Sequence, residues 1–296
     1  MSKKYLAYAL LICTTLIWSV NFIIGKFAYL FEVPPLTLNF LRWTLVWILL
    51  FPFTYKEIFS NIKLIKKNIV YLTILAVTSV SAFNSLVYLA LNYTQAIDTI
   101  LMISIIPVFV LFLSSLLGVE KFNFLQLLGL IVSFVGVLII FSNADISKVF
   151  TLSFNKGNAW MLLAVFCWAL YSSLLKKNKL PFSTLGLVEI LASIGLIFLI
   201  PQFIGEQMYG KEIKFNKAFF LILSFVTLFA SIGAYYSWNK AIELIGPNRA
   251  SIFLHLMPVF GVILAIVLLK EEFQMYHFIG AGFIVLGIYL SNRKKQ

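Results

Sequence analysis

The hydrophobic and polar positions of this chain fall into long apolar runs separated by short basic segments. Eight runs carry no charge and are long enough to cross a bilayer as helices. Two further runs carry one charge each, Arg42 in the first and Glu189 in the second. The pattern predicts an all-α polytopic membrane protein with ten transmembrane helices, at 5–25, 33–55, 68–97, 99–119, 122–144, 157–175, 180–205, 218–239, 250–269 and 273–292.

Composition agrees with a membrane protein, since 61% of residues are hydrophobic and 11% are charged. A soluble domain carries about 25% charged residues. The net charge of +12 does not indicate nucleic-acid binding, because the basic residues are spread over short loops. Cys13 and Cys167 lie inside apolar runs and are interpreted as packing residues. The sequence contains no phosphate-binding glycine loop, and no cofactor or metal is predicted.

The distribution of lysine and arginine predicts the orientation in the membrane. If the N-terminus is cytoplasmic, fifteen Lys and Arg residues fall on the cytoplasmic side and seven on the other. Basic residues in short loops are enriched on the cytoplasmic side. We therefore expect both chain ends in the cytoplasm and the protein in the cytoplasmic (inner) membrane.

The two halves of the chain resemble each other. At a shift of 151 residues, the segment 106–122 aligns with 257–273, and Gly129 and Gly136 align with Gly280 and Gly287. At a shift of 150, Trp18 aligns with Trp168. The prediction is two five-helix units, at 1–145 and 155–296. Because five is odd, the second unit has inverted topology, which is typical of secondary transporters with a site between the halves.

Several segments carry a family resemblance, among them "LIWSVNFIIGK", "LVYLALNYTQA", "IIPVFVLFLSSLLGVEKF" and "SWNKAIELIGPNRASIFLHLMPVFGVILAIVLLKEEF". Over nearly its whole length the chain resembles the EamA-type members of the drug/metabolite transporter superfamily. The resemblance implies two inverted repeats whose first four helices surround a central cavity, with the fifth and tenth helices to one side. It also implies export of amino acids and related metabolites, or in some members import of nucleotide-like or vitamin-like compounds.

Polar and aromatic side chains within the spans are the candidate substrate-binding residues, because polar groups in lipid usually face the bundle interior or a water-filled path. The candidates are Trp18, Asn21, Asn84, Tyr88, Ser104, Trp168, Tyr171, Tyr235 and His255. Three alternatives stay open. Asn21 serves equally well as an interhelical hydrogen-bonding residue. Tyr235 is alternatively an anchor at the membrane interface. His255 is either a satisfied structural residue or a substrate contact or proton carrier.

Arg42 and Glu189 are the candidate gating and coupling residues. Counting residues from the helix ends places them about 12 Å apart along the membrane normal, too far for a direct pair. We expect a local partner for each. Glu189 is either a proton-coupling or cation-binding group or a hydrogen-bonded structural acid. Lys26 is expected to extend to the headgroups, and Glu120 and Glu271 to make contacts in the loops.

Together these features predict a secondary transporter that works by alternating access, with amino-acid or related metabolite efflux as the leading function. Uptake of a vitamin-like or nucleotide-like metabolite is the alternative. A membrane-embedded enzyme is disfavoured, because no second acid lies at mid-depth beside Glu189, and a static scaffold does not account for the repeat. The expected partners are a small-molecule substrate, membrane lipid and a coupling proton, with no nucleic acid, and the chain is expected to be a monomer, with a dimer as the alternative.

Overall fold

The structure, a computed structural model, describes residues 3–94, 96–142, 145, 155–177, 180–209, 215–269 and 274–293. Within these residues ten helices are long and apolar enough to cross a membrane, and no strand occurs. The helices are α1 Lys3–Leu30, α2 Pro35–Ser60, α3 Ile69–Leu91, α4 Thr99–Leu116, α5 Phe124–Ser142, α6 Lys156–Leu175, α7 Thr184–Met208, α8 Lys217–Ile245, α9 Pro247–Leu264 and α10 Met275–Asn292. Glu271 lies outside the described residues.

The ten predicted spans are confirmed, although α1, α2 and α8 extend at their C-terminal ends past Lys26, Lys56 and Lys240, which the prediction had placed outside the helices. The Lys26 Nζ atom donates to the carbonyl oxygens of Leu91 and Thr94, both at 3.0 Å, at the end of α3. The expected extension of Lys26 to the headgroups stays a prediction. Lys176 Nζ lies 3.0 Å from the carbonyl of Glu243 near the end of α8. These repeat-related lysines therefore bind the C-terminal ends of α3 and α8, where cations are favourable.

Four helices depart from regular α-geometry at matched places in the two repeats. A π-helical segment interrupts α3 at Val77–Phe83 and α8 at Val226–Gly233. In α4, two turn residues at 104–105 precede Pro107. In α9, a 3₁₀ segment, Ile252–His255, precedes Pro258. Proline removes a backbone donor, which explains the breaks in α4 and α9.

Helices α5 and α10 pack closely against each other beside the rest of the bundle. A methyl group added at Gly129 would collide with the carbonyl of Gly287, and one at Gly136 with the carbonyl of Gly280. The four glycines that align between the repeats therefore allow the two backbones to approach. Small residues serve this purpose in membrane helices, which cannot rely on the hydrophobic effect to associate.

The two described chain ends lie at the same end of the bundle, because Lys4 Nζ lies 3.3 Å from the carbonyl oxygen of Asn292. An even number of spans requires this arrangement. Each unit of five spans crosses the membrane an odd number of times, so the second unit enters from the opposite face. The fold is thus an all-α bundle of two inverted five-helix repeats, as predicted.

Candidate functional site

A small central cavity lies between the two repeats. It has room for about 20 Å³ of water-sized molecules, roughly one water molecule. Six predicted site residues line it, contributed by α1, α3, α6 and α8: Trp18, Asn21, Asn84, Tyr88, Trp168 and Tyr235. The repeat axis therefore passes through a polar and aromatic centre.

Aromatic rings form one wall of the cavity and close it. The Trp18 ring centroid lies 5.0 Å from that of Trp168, and the two rings are perpendicular. Trp168 is 5.3 Å from Tyr235, and Tyr235 is 5.0 Å from Trp43, again edge to face. Edge-to-face pairs stabilise by about 0.5–1.5 kcal/mol beyond their buried area. The cluster also contains Trp238, 5.4 Å from Trp18.

Arg42 lines the cavity as well, although the sequence had suggested gating rather than substrate contact. Its Nη1 atom donates to Asn84 Oδ1 and to Tyr88 Oη, both at 2.9 Å. Its Nε atom donates to the hydroxyl of Ser231. The expected local partners of Arg42 are therefore three neutral groups. Among the described residues, no carboxylate forms an ion pair with this arginine, which is 1% exposed.

The π-helical segment of α3 supplies a carbonyl to this network. Asn84 Nδ2 donates to Ser79 O at 2.8 Å and to Tyr235 Oη at 2.9 Å. Tyr235 Oη in turn donates to Ser79 O at 2.7 Å. π-helical turns occur frequently at functional sites. The position of Tyr235 in the buried network is incompatible with the alternative that it anchors at the membrane interface.

Asn21 differs from the other amide of the cavity, because its Oδ1 atom is buried and accepts no hydrogen bond from any residue that the structure describes. A polar atom left unpaired in a buried place costs about 1–3 kcal/mol. Asn21 therefore presents a free acceptor to the cavity. For the alternative role of Asn21 as an interhelical hydrogen-bonding residue, this oxygen has no partner among the described residues.

Ser104 and His255 do not line the cavity but contact each other. His255 Nε2 lies 2.9 Å from the carbonyl oxygen of Ser104, so this nitrogen is the donor. Nδ1 lies 2.6 Å from the hydroxyl of Ser133 on α5. Both imidazole nitrogens are occupied by protein groups. This geometry favours the structural interpretation of His255, with the ring joining the breaks in α4 and α9.

Tyr171 lies between the cavity and a polar vestibule at the end of the bundle that carries both chain ends. Its Oη atom donates to Asn239 Oδ1 at 2.6 Å, and its ring lies 5.2 Å from that of Trp168. The vestibule provides about 430 Å³ for water-sized molecules. Its walls come from α6, the segment that follows it, α7 and α8: Leu175, Lys176, Leu180, Phe182, Ser183, Thr184, Leu187, Asn239, Lys240 and Glu243.

Glu189 lies far from Arg42, as expected. Along the antiparallel pair α2–α7, Thr37 N bonds Glu206 and the Glu57 carboxylate lies against Gly186. At this register Glu189 is level with Thr54, twelve residues or about 18 Å from the level of Arg42. The expectation that Glu189 has a local partner is wrong for the residues that the structure describes. Its carboxylate is 0% exposed and has no hydrogen-bond partner in the described part of the chain.

Sequence reasoning missed the apolar part of the cavity wall. These residues are Phe22, Phe83, Val87, Ile103, Ile106, Leu254 and Met257. No sequence signal separates them from the many apolar residues that face lipid, because their type is the same. The contribution of α4 and α9 to the wall is entirely apolar, although the prediction had assigned it to Ser104 and His255.

Comparison with known proteins agrees with this fold. The model of the EamA-like transporter family matches residues 5–142 and 155–293. An uncharacterized transporter of Archaeoglobus fulgidus is 29% identical over 100% of this chain and 99% of its own. The uncharacterized transporter YyaM of Bacillus subtilis is 26% identical over 76% of this chain and 73% of its own.

Two further matches are informative. The thiamine-repressible mitochondrial transport protein THI74 of Saccharomyces cerevisiae is 28% identical over 70% of this chain and 58% of its own. A solved crystal structure, described only as that of a protein, covers 98% of this chain and 96% of its own with a TM-score of 0.71. At 14% identity, that likeness concerns the fold alone. With the family model matching both repeats over nearly the whole chain, this multi-pass membrane protein belongs to the EamA-like transporter family.

Proposed function

We propose that this transporter moves amino acids, or related small metabolites with a carboxylate, across the membrane by alternating access and works in the direction of export. The basic residues of the loops favour an orientation with both chain ends in the cytoplasm. In that orientation the polar vestibule faces the cytoplasm and is the entrance for an exported substrate.

The single observation that carries this proposal is the position of Arg42 in the cavity wall without an acidic partner among the described residues. A buried cation is costly unless an anion compensates it. A substrate carboxylate supplies that anion, and the planar guanidinium binds carboxylates in two-pronged geometry. The free Oδ1 atom of Asn21 accepts a hydrogen bond from an ammonium group.

The small volume of the cavity identifies this conformation as a closed one. Space for about one water molecule does not admit an amino acid, so helices must separate before substrate binds. The Tyr171–Asn239 hydrogen bond and the ring of Trp168 lie between the vestibule and the cavity. Their separation opens the site to the vestibule, while the aromatic wall then contacts the side chain of the substrate.

Glu189 is our candidate for proton coupling. A fully buried carboxylate without a hydrogen-bond partner is costly unless it binds a proton or a cation. Its position about 18 Å from the level of Arg42 keeps this site separate from the substrate carboxylate. Proton binding and substrate binding are therefore linked through movement of α2 and α7 rather than through direct contact.

The decisive experiment is counterflow of labelled compounds in proteoliposomes. The panel contains an amino acid, the corresponding amine without the carboxylate, and the corresponding amide, in which a carboxamide replaces the carboxylate. We expect exchange of the amino acid alone and a loss of at least tenfold in Arg42→Gln and in Trp168→Ala. The control Lys66→Gln, at an exposed position of the short helix between α2 and α3, should exchange normally. Equal exchange of the amine by the wild type would contradict the proposal.

The second candidate is uptake of a vitamin-like or nucleotide-like compound. The aromatic wall suits a heterocycle, and one relative, THI74, is named as a thiamine-repressible transport protein. Arg42 suits a phosphate equally well. Adding a nucleoside monophosphate and a heterocyclic vitamin to the same panel distinguishes this candidate from amino-acid export, because only one class will exchange.

A further inference from the structure

A groove on the lipid-facing side of the bundle lies apart from the central site. It runs between α1 and α10, with α9 as its floor, and provides about 640 Å³ for water-sized molecules. Its walls are mostly apolar and aromatic, and two cations, Lys4 and Arg293, lie at one end. The lining residues are Lys4, Tyr5, Tyr8, Ile12, Phe253, Leu256, Val285, Ile288, Tyr289, Asn292 and Arg293.

The length of the groove matches one leaflet of a bilayer. On α1, Ile12 is eight residues from Lys4, and on the α10 side Val285 is eight residues from Arg293, about 12 Å in each case. Half of a hydrocarbon core about 30 Å thick is about 15 Å. A groove with cations at the membrane surface and apolar walls to this depth fits the headgroup and upper acyl chain of a lipid.

The charge at the mouth of the groove selects an anion. Lys4 and Arg293 are exposed and form no ion pair among the described residues. In the sequence, Lys3 precedes Lys4, and Lys294 and Lys295 follow Arg293. Clusters of this kind next to a membrane span attract anionic lipids. Lys4 Nζ also lies 5.4 Å from the centroid of the Tyr8 ring, which keeps it over the groove.

Two buried polar atoms of the groove have no partner among the described residues. Asn292 is 3% exposed and its Oδ1 atom accepts no hydrogen bond. The hydroxyl of Tyr8 is buried and unpaired, and its ring packs 5.2 Å from that of Phe253. Unpaired buried polar groups are rare in folded proteins and call for an explanation. A phosphate accepts from Tyr8, and a headgroup hydroxyl donates to Asn292.

From these observations we infer that the groove between α1 and α10 binds an anionic phospholipid of the leaflet on the side of the two chain ends. The phosphodiester lies between Lys4 and Arg293 and accepts the Tyr8 hydroxyl. One acyl chain follows Ile12 and Val285. Because the floor includes Phe253 of the 3₁₀ segment in α9, the bound lipid contacts the same break that His255 joins to α4.

The test uses spin-labelled phosphatidylglycerol and spin-labelled phosphatidylcholine on the full chain in phosphatidylcholine vesicles. We expect the wild type to immobilise phosphatidylglycerol in preference. The double variant Lys4→Gln/Arg293→Gln reduces that preference roughly tenfold, since each basic residue near the surface contributes to the attraction. The change Lys4→Gln retains a donor for Asn292 O, so we expect the fold to be maintained.

The matched control is Lys66→Gln/Lys67→Gln, which removes the same charge from exposed positions of the segment that joins α2 and α3. It keeps the preference if the groove is the site. A wild type without preference, or an equal loss in both double variants, overturns the inference. The variant Ile12→Trp fills the groove and is expected to release the lipid. If this variant instead converts a dimer to a monomer, the occupant of the groove is a second copy of the chain, and the inference is overturned.

Discussion

Asn84 and Tyr235, which occupy equivalent positions in the two repeats at an offset of 151 residues, are hydrogen-bonded to each other at 2.9 Å. Ser104 and His255 show the same relationship, at the same offset, between α4 and α9. A residue meets its own mate only beside a two-fold axis. The axis of the inverted repeat therefore passes through the cavity wall, and both halves contribute to a single site.

Tyr235→Phe should weaken the hydrogen-bonded network at this axis without a change in the shape of the ring. The variant removes the hydroxyl that joins Asn84 to Ser79 O and is expected to lower stability by about 1 kcal/mol. Thermal unfolding in detergent measures the loss. Because Asn84→Ala removes a partner in the same network, the double variant should lose less than the sum of the two single losses. Strict additivity would show that the two side chains are independent.

Glu189→Gln should separate accumulation from exchange. Glutamine keeps the size of the side chain but binds no proton, so accumulation driven by a pH gradient is lost while counterflow without a gradient continues. Proteoliposomes loaded at two pH values measure both. Asp145→Asn, which changes an exposed acid beyond the end of α5, is the control. Full gradient-driven accumulation in Glu189→Gln would eliminate the coupling role.

Gly136→Leu should force α5 and α10 apart. The added side chain collides with the carbonyl of Gly280 and with Ile284. Overpacking costs about 1–3 kcal/mol, and we expect the unfolding temperature to fall by roughly 5 °C or more. Gly282→Leu is the matched control on α10, since a Cβ atom at Gly282 meets nothing within 4 Å. An equal loss in the two variants would refute close approach as the reason for the glycines.

Glu120 should make stability depend on pH. Burial raises the pKa of this loop carboxyl above 4.5, although the backbone of Asn248 and the charges of Arg249 and Lys176 act in the opposite direction. The folded chain therefore binds this proton more tightly than the unfolded chain does. Stability contributed by the group is present below pH 4.5 and declines as the pH rises through the raised pKa.

Glu120→Gln cannot titrate, and the fall in stability over that pH range should be smaller in this variant. Unfolding in detergent at a series of pH values from 4 upward, for wild type and variant together, gives the difference curve. A variant whose curve runs parallel to that of the wild type would show that Glu120 is not responsible.

The spans, the repeat and most of the polar cavity residues were predictable because each has a periodic signal. Apolar length predicts a helix, and the offset of 151 predicts which helices correspond. Arg42 was predicted as a gating residue because sequence counting gives depth in the membrane but not the direction in which a side chain points. Its position in the cavity depends on Asn84 and Ser231, which lie 42 and 189 residues away.

The contacts of two ionisable residues could not be predicted for a similar reason. Sequence reasoning considers only the helix that carries Lys26, whereas the acceptors of this lysine are carbonyls at the end of α3. The expected partner of Glu189 followed from the cost of burial alone, and no described residue supplies one. The π-helical segments had no sequence signal, since their residues do not differ in type from those of a regular membrane helix.

The contact between His255 and the Ser104 carbonyl joins the breaks of α4 and α9 through one imidazole ring. If either helix bends during transport, we expect the other to move with it, and the hydrogen bond of His255 to Ser133 extends this linkage to α5. We therefore expect that opening at one face of the membrane is accompanied by movement at the opposite face.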